Sequence, residues 1–114
     1  MKLEITGSVL EHLERRGVYL VVRLRVSGVQ AELLFFHGEA HGTVESLPIE
    51  LAAGTVEGTE GSFEGSVPVP FPYPGTVQLH LQGVGGENVV IVGQSLAIQM
   101  GGPERLVPLG RPRP

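Results

Sequence analysis

The 114-residue sequence has no cysteine and no tryptophan, its twelve acidic residues are all glutamate, and lysine occurs once, as Lys2. Without cysteine there is no disulfide, thiolate zinc site, iron–sulfur ligation or cysteine nucleophile, and an unstapled domain fits a reducing, cytoplasmic setting. Without a later lysine there is neither a phosphate-binding P-loop nor a Schiff-base amine. Long apolar runs are missing as well. The stretch 18–22 falls far short of the roughly 20 residues that span a membrane, and Glu4 and Glu11 interrupt any signal-peptide-like run near the start. These absences predict a soluble cytoplasmic protein with no membrane partner.

Charge is unevenly spread. The net charge is −4, yet residues 101–114 carry Arg105, Arg111 and Arg113 against Glu104, which leaves the preceding hundred residues at −6. A body this acidic is a poor binder of a phosphate backbone, so no nucleic-acid partner is expected. The bias toward glutamate and arginine hints at a thermophilic source. Length predicts one domain over residues 1–100, followed by a Pro/Arg-rich tail, 101–114, expected to be extended or disordered at its end.

What is abundant is alternation. Val18, Leu20, Val22, Leu24 and Val26 are apolar at every second position, and after Ser27-Gly28 the pattern resumes at Val29, Ala31, Leu33 and Phe35. This is a β-hairpin signature with a two-residue turn. Its register sets Val26 opposite Val29, Leu24 opposite Ala31, Val22 opposite Leu33 and Leu20 opposite Phe35. One face is then wholly apolar, and Arg23 meets Glu32 on the other. Near the open end, however, the outward positions Tyr19, Val21, Leu34 and Phe36 are apolar too. A half-solvated sheet should be polar there, so something is expected to cover this patch.

The remaining chain reads as further strands. Residues 2–10 alternate, and 10–16 are expected as a charged turn or a strand extension. A short strand is expected around 42–45 and another at Leu47, Ile49 and Leu51. The Gly-rich segment 53–62 is expected as a mobile loop or a long hairpin tip. In Val67-Pro68-Val69-Pro70-Phe71-Pro72-Tyr73-Pro74 the prolines fall on one parity, deleting donors along one edge only, which predicts an edge strand that still pairs on its other side. Val69, Phe71 and Tyr73 therefore join the candidate interface residues. No two of these prolines are three apart, so the segment does not present the PxxP spacing of an SH3-type ligand. Val77, Leu79 and Leu81 form a clear strand. Residues 88–100 read as one long strand or as two strands broken at Gly93; uninterrupted, the strand would bury Gln94 beside Val90, Val92 and Leu96, and a bulge at Gly93 is one way to avoid that. The expected fold is all-β with seven or eight strands, a two-sheet antiparallel β-sandwich of immunoglobulin-like or C2-like layout, with a small closed β-barrel as the alternative.

Candidate chemistry is sparse. His37-Gly38-Glu39-Ala40-His41 offers two imidazoles and a carboxylate, with His80 as a further candidate ligand, so His37, His41 and His80 are the candidate metal residues. The spacing is not HExxH, and two histidines within five residues are a weak metal signal; the plainer reading has His37, which shares parity with Phe35, capping the core edge and His41 exposed. Gly93-Gln94-Ser95-Leu96-Ala97 loosely matches a nucleophile elbow, but that motif needs a following helix. Gly83-Val84-Gly85-Gly86 lacks the spacing of a dinucleotide loop. A glutamate pair within 39–64 lacks the aromatic platforms of a carbohydrate site. No cofactor is expected. The sequence therefore predicts a non-enzymatic module acting through protein contacts, self-associating or binding another protein, with a ligand or metal site near His37 and His41, hydrolytic at most, as the alternative.

Overall fold

The alternating stretch folds in the expected register. In the computed structural model, which describes residues 2–42, 46–59, 61–69 and 73–101, Val26 faces Val29, Leu24 faces Ala31, Val22 faces Leu33 and Leu20 faces Phe35. Ser27 and Gly28 both take positive φ, at 51° and 81°, the conformation a tight two-residue hairpin requires. Among the described residues the chain forms ten strands and no helix: β1 (Lys2–Glu4), β2 (Val9–Arg16), β3 (Tyr19–Val26), β4 (Val29–Phe36), β5 (Glu39–Gly42), β6 (Ile49–Gly58), β7 (Gly61–Glu64), β8 (Ser66–Pro68), β9 (Tyr73–Gly83) and β10 (Asn88–Met100). Among the described residues no helix is long and apolar enough to cross a membrane.

The fold is all-β, in two antiparallel sheets. The larger, of eight strands, runs β2-β3-β4-β10-β9-β6-β7, with β5 also paired to β10. The smaller joins β1 to β8. The large sheet meets itself: Val9 pairs with Glu50 and Leu10 with Ile49, so β6 returns to β2. Six strands thus form a closed ring, the barrel form of the expected architecture, and closure removes most of the open edges that invite aggregation.

The ring is filled by one side-chain cluster, including Leu10, Val22, Leu24, Leu33, Phe35, Val56, Leu79, Leu81 and Ile91. The small sheet contributes Leu3 and Val67, and Ile5 follows β1 into the same cluster. A Cβ on residue 54 would collide with the Ile5 side chain, so Gly54 is the gap in β6 into which Ile5 fits.

Several local expectations are corrected. Residues 2–10 are two strands broken at Gly7, whose φ of 87° turns the chain. Of the two forms expected for 10–16, the segment takes the strand extension, as part of β2. Of the two forms expected for the Gly-rich segment 53–62, the structure takes the hairpin: β6 returns in β7, with Thr55 opposite Glu64 and Gly58 opposite Gly61, so backbone pairing holds a stretch that hydrophobicity alone leaves loose. Residues 67–73 are not one edge strand either. Ser66–Pro68 pairs with β1, Val69 bends away half-buried against the core, and Tyr73 opens β9. Phe71 and the side chain of Tyr73 lie outside the described residues, as do residues 43–45 and 102–114. The Gly93 bulge is present. Gly93 pairs with Val77 and Ser95 with Pro74, so Val89 and Ile91 face inward before the bulge and Leu96 after it, leaving Gln94 exposed.

Candidate functional site

Residues directly opposite one another in a ladder share a face, so the pairings divide the outer surface into two regions. Over β2, β3 and β4 the outward residues are ionic. Arg23 Nη2 lies 3.1 Å from Glu32 Oε2, Arg16 Nη2 lies 2.6 Å from Glu14 Oε2, and Arg16 Nη1 lies 3.5 Å from Glu32 Oε1. Arg25 bonds Glu11, which also accepts from Gln30 Nε2 at 3.2 Å. Arg23 Nε is the one buried side-chain polar atom without a partner among the described residues. Hydrogen bonds from Arg16 and then His12 hold the Glu14 carboxyl below the usual glutamate value, and the same contact with Glu14 raises Arg16.

This lattice explains what covers part of the apolar patch. Arg16 stands opposite Tyr19 and Glu32 opposite Arg23, so the Arg16 side chain crosses β3 above the one outward residue between them, Val21. Val21 is 1% exposed. Long aliphatic stems shield apolar surface while their charged heads stay wet. Val21 is therefore not a surface residue, which corrects its place in the candidate interface; Tyr19 at 38% exposure and the half-buried Leu34 and Phe36 remain.

At the open end of the hairpin these aromatics form a stack. The Tyr19 and Phe36 ring centroids are 5.6 Å apart, and His37 packs edge-on to Phe36 at 4.3 Å. His37 has a φ of 50°, unusual outside glycine. Its N–H donates to Val18 O at 2.8 Å, the Gly38 N–H donates to Phe35 O at 3.1 Å, and Arg15 Nη2 donates to Gly38 O at 2.5 Å. Those bonds fix the turn. Gly38 and Gly93 close over Phe35, since a Cβ on either would approach Phe35 Cβ to 2.6 or 2.9 Å.

Beyond this turn lies the second region, over β5, β10, β9, β6 and β7. One row runs His41, Val90, His80, Thr55, Glu64, and the next Glu39, Val92, Gln78, Glu57, Ser62. No lysine or arginine occurs between Arg25 and Arg105, and among the described residues these glutamates have no cationic partner. Half-buried Val90 and Val92 sit among polar neighbours. A depression of about 400 Å³ lined by His37, Glu39, His41, Thr76, Val92, Gly93 and Gln94 joins the aromatic stack to these rows.

The candidate ligands are thus only partly assembled. His37 and His41 border this depression, whereas His80 lies two strands from His41 with Val90 between them, bonded to Gln78 Oε1 at 3.0 Å and lining a separate depression with Glu57 and Glu64. Among the described residues no three His, Asp, Glu or Cys side chains are grouped to hold a metal ion. Arg15, Thr76, Val92 and Gln94 were not singled out by sequence. The parity change at Gly93 is the one signal that points to Gln94, because it moves that side chain outward.

Comparison of the chain with models of protein families, with curated proteins and with solved structures finds no match, so the functional reading rests on this geometry.

Proposed function

We propose that the protein is a cytoplasmic binding module without catalytic activity, acting through protein contacts and first of all through contact with a second copy of itself. The observation that carries this reading is the Tyr19–Phe36–His37 stack on the outer surface, immediately before an open strand edge. β5 pairs with β10 on one side, and among the described residues no strand lies on its other side. Its four residues are all exposed. Two such edges meeting antiparallel about a two-fold axis would pair their backbones and bring the two stacks to one interface, the self-complementary arrangement of a symmetric dimer. Val92 and the aromatics supply an apolar centre, with Glu39, His41 and Gln94 as a polar rim.

Sedimentation equilibrium tests this. A dimer that becomes a monomer in Phe36→Ser and Tyr19→Lys supports it; a monomer at every concentration removes it.

A ligand or metal site at the same depression is the second reading, favoured by the left-handed His37, since backbone strain of this kind gathers at functional sites. Zinc titration calorimetry separates the two. Saturable one-to-one binding lost in His37→Ala and in His41→Ala favours the ligand site, and absence of heat leaves the contact reading.

A further inference from the structure

The free edge of β5 is complementary to itself in one register. Residues opposite one another in a ladder share a face. Glu39 and His41 stand opposite Val92 and Val90 of β10, and Ala40 and Gly42 stand opposite the buried Ile91 and Val89. Glu39 and His41 therefore belong to the outer face, Ala40 and Gly42 to the inner one. Where two copies of one edge join antiparallel in a continuous sheet, the two-fold axis runs normal to the sheet and leaves each residue on its own face. An outward residue of one copy then meets only an outward residue of the other, so the axis falls where one residue faces its own copy and never between two residues.

The four residues of β5 offer four such centres. With Glu39 on the axis, the two carboxylates stand directly opposite, and like charges so placed destabilise a sheet. With His41 or Gly42 there, Glu39 meets no residue of the second β5. With Ala40 there, Glu39 of each copy faces His41 of the other, and the pairing occurs twice. All four residues are exposed, and neither Glu39 nor His41 has a side-chain hydrogen bond or ion pair among the described residues. Ala40, the inward residue at the axis, carries only a methyl group, so nothing bulky holds the two backbones apart.

Resting on the self-association reading above, we propose that two copies of the chain join through β5 with Ala40 on the two-fold axis, and that the reciprocal Glu39–His41 pairs select this register. An imidazole carries an N–H in either protonation state and a carboxylate accepts it, so each pair forms with the histidine neutral or charged. Backbone bonds along the two edges supply the adhesion. The pairs supply the choice of register, since moving the axis by one residue loses both of them.

The absence of cysteine makes the register readable by disulfide trapping. Directly opposed Cα atoms lie about 4.5–5.5 Å apart, within reach of a disulfide. Residues 39 of the two copies would be two positions out of step, about 8 Å apart and beyond that reach. Under mild oxidation Ala40→Cys should give a covalent dimer, and Glu39→Cys or His41→Cys alone should not. An equimolar mixture of the Glu39→Cys and His41→Cys chains should cross-link, because that heterodimer sets the two cysteines opposite one another and keeps the second Glu39–His41 pair. Sedimentation equilibrium of the unmodified chain separates the two ways of failing. If that chain is a dimer, then self-linking of Glu39→Cys or His41→Cys, a mixture that stays unlinked, or an unlinked Ala40→Cys overturns the register and leaves self-association standing. If it is a monomer, both fall.

Discussion

The outer face over β2 to β4 and the outer face over β5, β10, β9 and β6 are built on one continuous sheet, yet they use charge in opposite ways. On the first, arginines and glutamates interlock and their stems bury an outward valine. On the second, glutamates and histidines stand around half-buried Val90 and Val92 with no cation among the described residues. The lesson lies in the two outward valines. Val21 is covered by its own chain, whereas Val92 stays half-buried with no arginine above it among the described residues. An apolar residue at an outward position marks a contact surface only where its neighbours do not roof it.

The largest expected effect comes from removing what both faces share. Phe35 is fully buried under Gly38 and Gly93, and Phe35→Ala should cost about 3–5 kcal/mol in urea denaturation. A loss well below that would mean the two regions do not rest on one core. The valine contrast comes next. Val21→Ala should cost about 2 kcal/mol, and Val92→Ala no more than about 0.5 kcal/mol; equal losses would erase the distinction. Arg23→Gln should cost on the order of 0.5–1 kcal/mol, shrinking in high salt, as partly exposed ion pairs do.

The smallest effect is that of pH. Because the Glu14 carboxyl is held below its usual value in the folded chain, its contribution is present above the unfolded value and disappears as pH falls through the lower folded value. Acid should therefore loosen the cover over Val21. Glu14→Gln should flatten that part of the stability profile, and an unchanged profile would mean that the Arg16 stem alone forms the roof.

Period-two alternation made the central hairpin legible from residues alone. A register shifted by one satisfies neither the apolar face nor the charged pair, so Val26 opposite Val29 and Arg23 opposite Glu32 followed from arithmetic. The bulge at Gly93 was legible for the same reason, since Gln94 cannot sit in a dry core unbonded. Ring closure was not: the Val9–Glu50 and Leu10–Ile49 pairings join segments forty residues apart and have no local signature. The β6–β7 hairpin was legible only as one of two alternatives, because its glycines weaken the strand pattern, although Gly54 is needed to admit Ile5. Of the site, the histidines and aromatics were visible, but the cover over Val21 depends on an arginine reaching across a strand, which spacing along the chain does not reveal.

The most direct measurement compares the two faces in one experiment: sedimentation equilibrium of the unmodified chain, Phe36→Ser and Arg23→Gln. A dimer for the unmodified chain and Arg23→Gln, with a monomer for Phe36→Ser, is the predicted result. A monomeric unmodified chain, or dissociation by Arg23→Gln as complete as that by Phe36→Ser, would contradict it.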